Sequence, residues 1–233
     1  MIKKKSKVLA IIPARKGSKR LPNKNKLDLN GKPLIAWTIE SAMKSIYIDD
    51  IAISTNDEDI VEIAKLYDID VPFLRPEELS SDKASTMDVI FHTINFYKSI
   101  GICYDIIILL QPTSPLRTSV DIDNSFKLLS KDVKAIVSVC ELDHSPLWSN
   151  VLPTNNSLEF FLKEDVQGLR SQDLPQYYRL NGAIYLSRIN YLKTNNFFFG
   201  NQSKAYIMST NNSLDIDTKL DFELCKLIMN ENN

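Results

Sequence analysis

Residues Val8 to Ala14 (VLAIIPA) form a continuous apolar run with the length and branching of a strand buried on both faces. The run ends in a loop that carries Arg15, Lys16, Lys19, Arg20 and Lys24 around a single glycine, Gly17. In an open α/β sheet, ligands bind outside the carboxyl ends of the strands, which is where this loop stands. Five cations on one loop call for an anionic partner. A triphosphate fits, because turn N–H groups with Lys and Arg side chains replace the water and counterions it loses on binding. A basic loop lying in solvent is the other use of such a cluster. The segment has neither the three glycines of the dinucleotide fingerprint nor the Gly-Lys-Ser/Thr ending of a P-loop.

The charge balance narrows the partner. With a net charge of −1, the chain has no global field to recruit nucleic acid or a membrane, so a local basic loop favours a small anion. At 233 residues and 44% hydrophobic, one substantial core is expected over residues 1–233. No apolar run approaches membrane-spanning length, and MIKKKSK leads into the first strand without a signal-peptide core, which gives the expectation of a cytoplasmic protein. Cys103, Cys140 and Cys225 lack CxxC spacing and read as buried free thiols, and His92 and His144 are too few for a His-rich metal centre.

Along the chain, strands alternate with helices, the rhythm of a doubly wound, mostly parallel sheet. Gly31-Lys32-Pro33 reads as a turn into a helix bearing Leu34, Ile35, Ile39 and Ala42; DIAIST (50–55) is a strand, and Asn56 or Asp57 caps the next helix. Val71 to Leu74 reads as a further short strand. Ser85 with Asp88 makes a capping box, DIIILL (105–110) is the most apolar strand, and Thr118 caps a helix after the rigid QPTSPLR loop. AIVSV (135–139), NGAIYL (181–186) and AYIM (205–208) complete the strands, and a final helix begins near Thr218. Between about 141 and 180 the alternation fades into prolines, asparagines and Phe160-Phe161, as in a flexible excursion or an arm that packs on another subunit.

Near the C-terminus, extended backbone at Leu214-Asp215-Ile216-Asp217 puts the two carboxylates on one side, about 7 Å apart along the strand. Such a pair repels unless a cation sits near it, and Mg2+ bridged to phosphate oxygens would answer that. The alternative is that Asp217 merely caps the last helix.

Taken together, PAR-x-GSK-x4-KN (13–25), D-x-AS (82–85), LLQPTSPLR (109–117), R-x-NGAIY (179–185) and the late DID resemble the acylneuraminate (CMP-sialic acid) cytidylyltransferases over essentially the full chain. That resemblance implies a Rossmann-like nucleotidyltransferase fold whose arm at about 141–180 makes a homodimer. It implies transfer of CMP from CTP to a nine-carbon 2-keto-3-deoxy sugar acid, such as sialic or legionaminic acid, with release of pyrophosphate. By the same resemblance Arg15, Lys19, Lys24 and Asn25 cradle the triphosphate, with Ala14 beside them. Arg75, Ser85 and Thr86 read the nucleoside. Gln111, Arg170, Arg179, Asn181 and Tyr185 face the sugar acid, Phe198 and Phe199 line its acyl pocket, and Asp215 and Asp217 hold Mg2+, for which Mn2+ can substitute. A simple core cluster is the alternative for the two phenylalanines. The chain departs from the family pattern at Lys16, and at Trp148 after HSPL, where some relatives place a lysine that reaches the partner's site. Activation of an eight-carbon ketodeoxyoctonate-type sugar, and a non-catalytic nucleotide-binding protein of the same fold, are the alternative readings.

Overall fold

The computed structural model describes residues 6–81 and 84–231. In chain order it contains β1 (Val8–Pro13), the two-residue strands β2 (Asp28–Leu29) and β3 (Lys32–Pro33), α1 (Leu34–Met43), β4 (Asp50–Ser54), α2 (Glu58–Lys65), α3 (Thr86–Ser99) and β5 (Ile106–Leu110). There follow α4 (Ser119–Lys127), β6 (Ala135–Glu141), β7 (Tyr178–Arg188), α5 (Ile189–Asn195), β8 (Ser203–Ile207) and α6 (Lys219–Glu231). The main sheet has the order β4-β1-β5-β7-β6-β8. β7 runs antiparallel to both neighbours, whereas every other pairing in this sheet is parallel.

The continuous apolar strands are those covered on both sides. Val8, Ala10 and Ile12 of β1, with Ile106, Ile108 and Leu110 of β5, pack under α1, α2 and α4. The intervening Leu9, Ile11, Ile107 and Leu109 face α3 and α5. This period-2 division between two helical layers is what makes the sheet doubly wound. A third cluster joins α6 to the start of α1, with Ile216 among Leu29, Leu34 and Phe222.

Local chemistry sets the helix starts. Asp57 caps α2, and reciprocal capping boxes pair Ser85 with Asp88 at α3 and Thr118 with Asp121 at α4. Because β1 pairs in parallel with both β4 and β5, the three strands end at one edge, and the N-terminal half of β7 lies there too, because Leu110 pairs with Ile184.

Three expectations are corrected. Val71 to Leu74 is not a strand: Phe73 packs on His92 and Phe96 of α3, and the backbone returns to the sheet only where the Arg75 N–H donates to Thr55 O at 2.7 Å. Cys103 is exposed, unlike the buried Cys140 and Cys225; all three are free thiols. The turn read at Gly31 belongs to a small β2–β3 hairpin that precedes α1. Between β6 and β7 the chain has only isolated 3₁₀ turns, and leaves Val151, Leu158 and Phe160 largely exposed. Among the described residues no helix is long and apolar enough to cross a membrane.

Candidate active site

The loop after β1 is stitched to β4 at its root: Ala14 N–H donates to Ser54 O at 2.9 Å, and Thr55 Oγ1 donates to Ala14 O at 2.6 Å. Gly17 takes φ 85, a left-handed conformation that suits glycine, and a 3₁₀ turn at Lys24–Lys26 swings Lys24 inward. Lys24, only 9% exposed, donates from Nζ to Ile216 O at 2.6 Å and to Asp217 Oδ1 at 3.1 Å. Arg20 reaches the other oxygen of the same carboxylate at 2.8 Å. The basic loop and Asp217 therefore meet, although 193 residues separate Lys24 from Asp217.

The acidic segment is extended, with Ile216 fully buried and its N–H donating to Thr113 O at 2.8 Å. α6 is capped by Thr218, whose Oγ1 accepts from Asp221 N while Asp221 accepts from Thr218 N. That settles the alternative use of Asp217, whose carboxylate turns to Lys24 and Arg20 instead of capping the helix. Asp215 Oδ1 is buried with no hydrogen-bond partner. Burial pushes the Asp215 carboxyl above the usual range; a hydrogen bond with the Thr113 side chain opposes the shift, and the neighbouring Asp217 adds to it.

Arg15, Lys19, Lys24, Asn25, Gln111 and Asp217 line a cavity of 410 Å³ at the strand ends. Arg75, Ser85 and Thr86 line an adjoining one of 280 Å³, and Pro13 and Arg15 belong to both. The two cavities share that wall. Arg75 is buried and tied down: Nε donates to Ser54 Oγ at 3.0 Å and a terminal nitrogen donates to Ser54 O. Burial, with Arg15 nearby, lowers its pKa to about 10. Ser85 spends its hydroxyl on capping α3. Asp82 of the D-x-A-S stretch lies outside the described residues.

The residues expected to face a sugar acid divide. Gln111 and Asp215 converge on Gly182, where a built Cβ would stand 3.3 Å from Gln111 Oε1 and 3.9 Å from Asp215 Oδ2. Tyr185 is partly buried beside Phe198, ring centroids 5.3 Å apart, and burial with Asp215 nearby raises its pKa. Phe198 is core, as its alternative reading held, whereas Phe199 is exposed against Phe197. Asn181 does not open onto the cleft. It is buried, its Oδ1 accepts from Ser138 Oγ at 2.6 Å, and its Nδ2 donates to Ser213 Oγ at 2.9 Å, so it braces the turn that leads into Asp215. Arg179 pairs with Cys140 in the sheet, and Arg170 begins an exposed 3₁₀ turn between β6 and β7; neither lines the two cavities.

Thr113, Arg20 and Gly182 carry more of this geometry than the sequence reading gave them. A glycine inside a strand pattern signals a bulge, which could have found Gly182. Thr113 acts through Asp215 and Ile216, about a hundred residues away, and leaves no local signature.

A family model described as cytidylyltransferase matches residues 9–229. An N-acylneuraminate cytidylyltransferase of Escherichia coli is 38% identical over 231 residues, which is 98% of this chain and 54% of that protein, so the chain spans about half its length. A CMP-N,N'-diacetyllegionaminic acid synthase of Legionella pneumophila is 34% identical over 233 residues, 97% of each chain. Among solved structures, a CMP:2-keto-3-deoxy-manno-octonic acid synthetase complexed with CTP superposes with a TM-score of 0.71 at 18% identity, covering 98% of this chain and 100% of the other.

Proposed function

The chain belongs to the cytidylyltransferase family, and from that premise we propose that it activates a nine-carbon 2-keto-3-deoxy sugar acid with CTP, giving the CMP-sugar and pyrophosphate. The observation that carries this reading is the meeting of the basic loop with Asp217 at the cavity, with Asp215 close enough to feel the charges of Asp217 and Lys24. The length-matched relative that acts on a legionaminic acid supports a nonulosonic substrate.

In this reading Arg15, Lys19, Lys24 and Asn25 bind the triphosphate, while Arg75, Ser85 and Thr86 form the nucleoside end. Gln111, over Gly182, and Tyr185, on the Asp215 side, orient the sugar acid so that its anomeric hydroxyl attacks the α-phosphorus in line. In-line displacement asks little covalent work of a protein; positioning and neutralisation of the departing pyrophosphate dominate. Lys24 is preset for that task, because its contact with Ile216 O holds the cation before nucleotide arrives.

Asp215 and Asp217 suit Mg2+, which typically takes one or two carboxylates and leaves the rest of its shell to water and phosphate. The partnerless, buried Asp215 Oδ1 is a donor atom waiting for a cation. When bound there, the metal would supply charge neutralisation at the phosphates. Among the described residues no group of three or more His, Cys, Asp or Glu side chains offers a metal a protein-only cage. The exposed apolar stretch between β6 and β7, with Phe160 at 86% exposure, supports an arm that pairs two copies of the chain.

The test is pyrophosphate release from CTP with a panel of sialic, legionaminic and eight-carbon ketodeoxy acids in Mg2+. Release with a nine-carbon acid is expected. CTP binding without release from any acid would move the chain to the nucleotide-binding reading.

A further inference from the structure

Arg117 is 2% exposed, and its hydrogen-bond partners among the described residues are all neutral oxygens. Nη1 donates to Gln111 O at 3.2 Å and to Ala183 O at 3.0 Å, and Nη2 donates to Ser41 Oγ at 3.3 Å. Burying a cation against two carbonyl oxygens and one hydroxyl, with no carboxylate hydrogen-bonded to it, is costly. Desolvation lowers its pKa to about 9, with Asp121 partly offsetting the shift. Such an arrangement calls for a reason beyond core filling.

The reason lies in β7. Val137 pairs with Tyr185 but Val139 pairs with Leu180, so residues 181–184 of β7 stand opposite Ser138 alone. This is a bulge, and Gly182 inside it has φ +75. Ser138 satisfies the bulge from the β6 side, donating to Asn181 Oδ1 and Ile184 O and accepting from Ile184 N–H. From the β5 side, Ala183 O is satisfied by Arg117. The same guanidinium nitrogen holds Gln111 O, the first residue after β5. One rigid fork thus ties the bulge to the residue whose side-chain amide lies over Gly182.

We propose that Arg117 is a positioning residue for the sugar-acid half of the reaction, clamping the β7 bulge to Gln111 so that the Gln111 amide is fixed over Gly182 and beside Asp215. This rests on the cytidylyltransferase reading above. Its contacts reach neither the nucleoside end of the cleft nor the cations of the loop after β1, so the effect is expected mainly on the sugar acid.

The experiment compares wild type with Arg117→Lys, which keeps the charge but loses the planar fork, and with Ser41→Ala, which removes only the third contact. For each protein, thermal unfolding, the affinity and stoichiometry of CTP binding, and kcat and KM for CTP and for the sugar acid turned over by wild type are measured. In Arg117→Lys, kcat/KM for the sugar acid is expected to fall roughly 100-fold, the scale of an ångström-level misplacement, with CTP affinity within about twofold of wild type. Ser41→Ala should show a smaller change in the same direction. Unchanged sugar-acid kinetics in Arg117→Lys, an equal loss toward CTP, or a loss explained by fewer CTP sites overturns the proposal. So does an unfolded Arg117→Lys together with a Ser41→Ala protein that behaves as wild type, since Arg117 would then serve stability alone. A folded wild type that turns over no sugar acid refutes the parent reading instead.

Discussion

Replacing Lys24 with methionine tests whether burial or charge count decides the worth of the contacts that join the two ends of the chain. Methionine keeps most of the apolar stem and removes the ammonium. Two contacts go: the 2.6 Å bond to Ile216 O and the 3.1 Å bond to Asp217 Oδ1. Hydrogen bonds involving a charged group contribute about 1.5–3 kcal/mol each when shielded from water. The Asp217 side chain is a third exposed and keeps Arg20, so its share is screened. A loss of about 2–3 kcal/mol is therefore expected, or a Tm lower by about 4–12 °C for a domain of this size. The control is Arg20→Met. Arg20 also pairs with Asp217, but its side chain is 70% exposed, and such surface pairs contribute under about 1 kcal/mol. Differential scanning fluorimetry of both variants, with chemical denaturation as a second measure, gives the comparison. Equal shifts for the two variants, or none for Lys24→Met, would falsify the argument that the buried end of Lys24 is what holds the acidic segment in place. Lys24→Met should in addition reduce turnover roughly 100- to 1,000-fold, as expected for removing a preset donor to developing charge.

Asp217→Ala should lower kcat by a similar factor of about 100 or more while far-UV dichroism stays that of the folded protein; a wild-type rate at saturating Mg2+ would remove Asp217 from the reaction. Gly182→Ala places a Cβ 3.3 Å from Gln111 Oε1 at φ +75; denaturant titration should register about 1–2 kcal/mol of lost stability, with sugar-acid KM rising more than CTP KM, and an undisturbed KM for both would show that the corner is not contacted. Burial, reinforced by the Arg75 charge, holds the His92 imidazole below its ordinary pKa, with Glu78 opposing. The unfolded chain then takes up the proton first, so stability should be intact above about pH 6.5 and decline below it. His92→Phe should flatten the denaturation midpoint between pH 7 and 5.5, and identical slopes in variant and wild type would contradict the assignment. The proposed pairing through the arm predicts a dimeric wild type in sedimentation velocity that Phe160→Glu converts to monomer; a monomeric wild type, or a dimer unaltered by the substitution, would refute that role of the arm.

What could be read in the sequence is what local chemistry decides. β1 and β5 were legible because two-sided burial leaves no polar position in the strand, and the capping boxes at Ser85 and Thr118 because donor and acceptor lie three residues apart. At the acidic pair, Leu214 and Ile216 were legible as the residues that turn to one apolar cluster, two apart as period-2 geometry requires. Val71 to Leu74 misled because a short apolar run satisfies a helix surface as well as a sheet edge, and here Phe73 goes to α3. Arg117 and Asn181 show the harder limit. Each lies in a recognisable motif, yet what each does depends on partners far along the chain: Ala183 is 66 residues from Arg117, and Ser138 is 43 from Asn181. The motif placed these residues near the chemistry, and the bulge in β7 decided that they hold the cleft's walls instead of lining it. A buried polar group at a site is therefore to be assigned from where its hydrogen bonds end: the Asn181 amide is committed to Ser138 and Ser213 and turns away from the cleft.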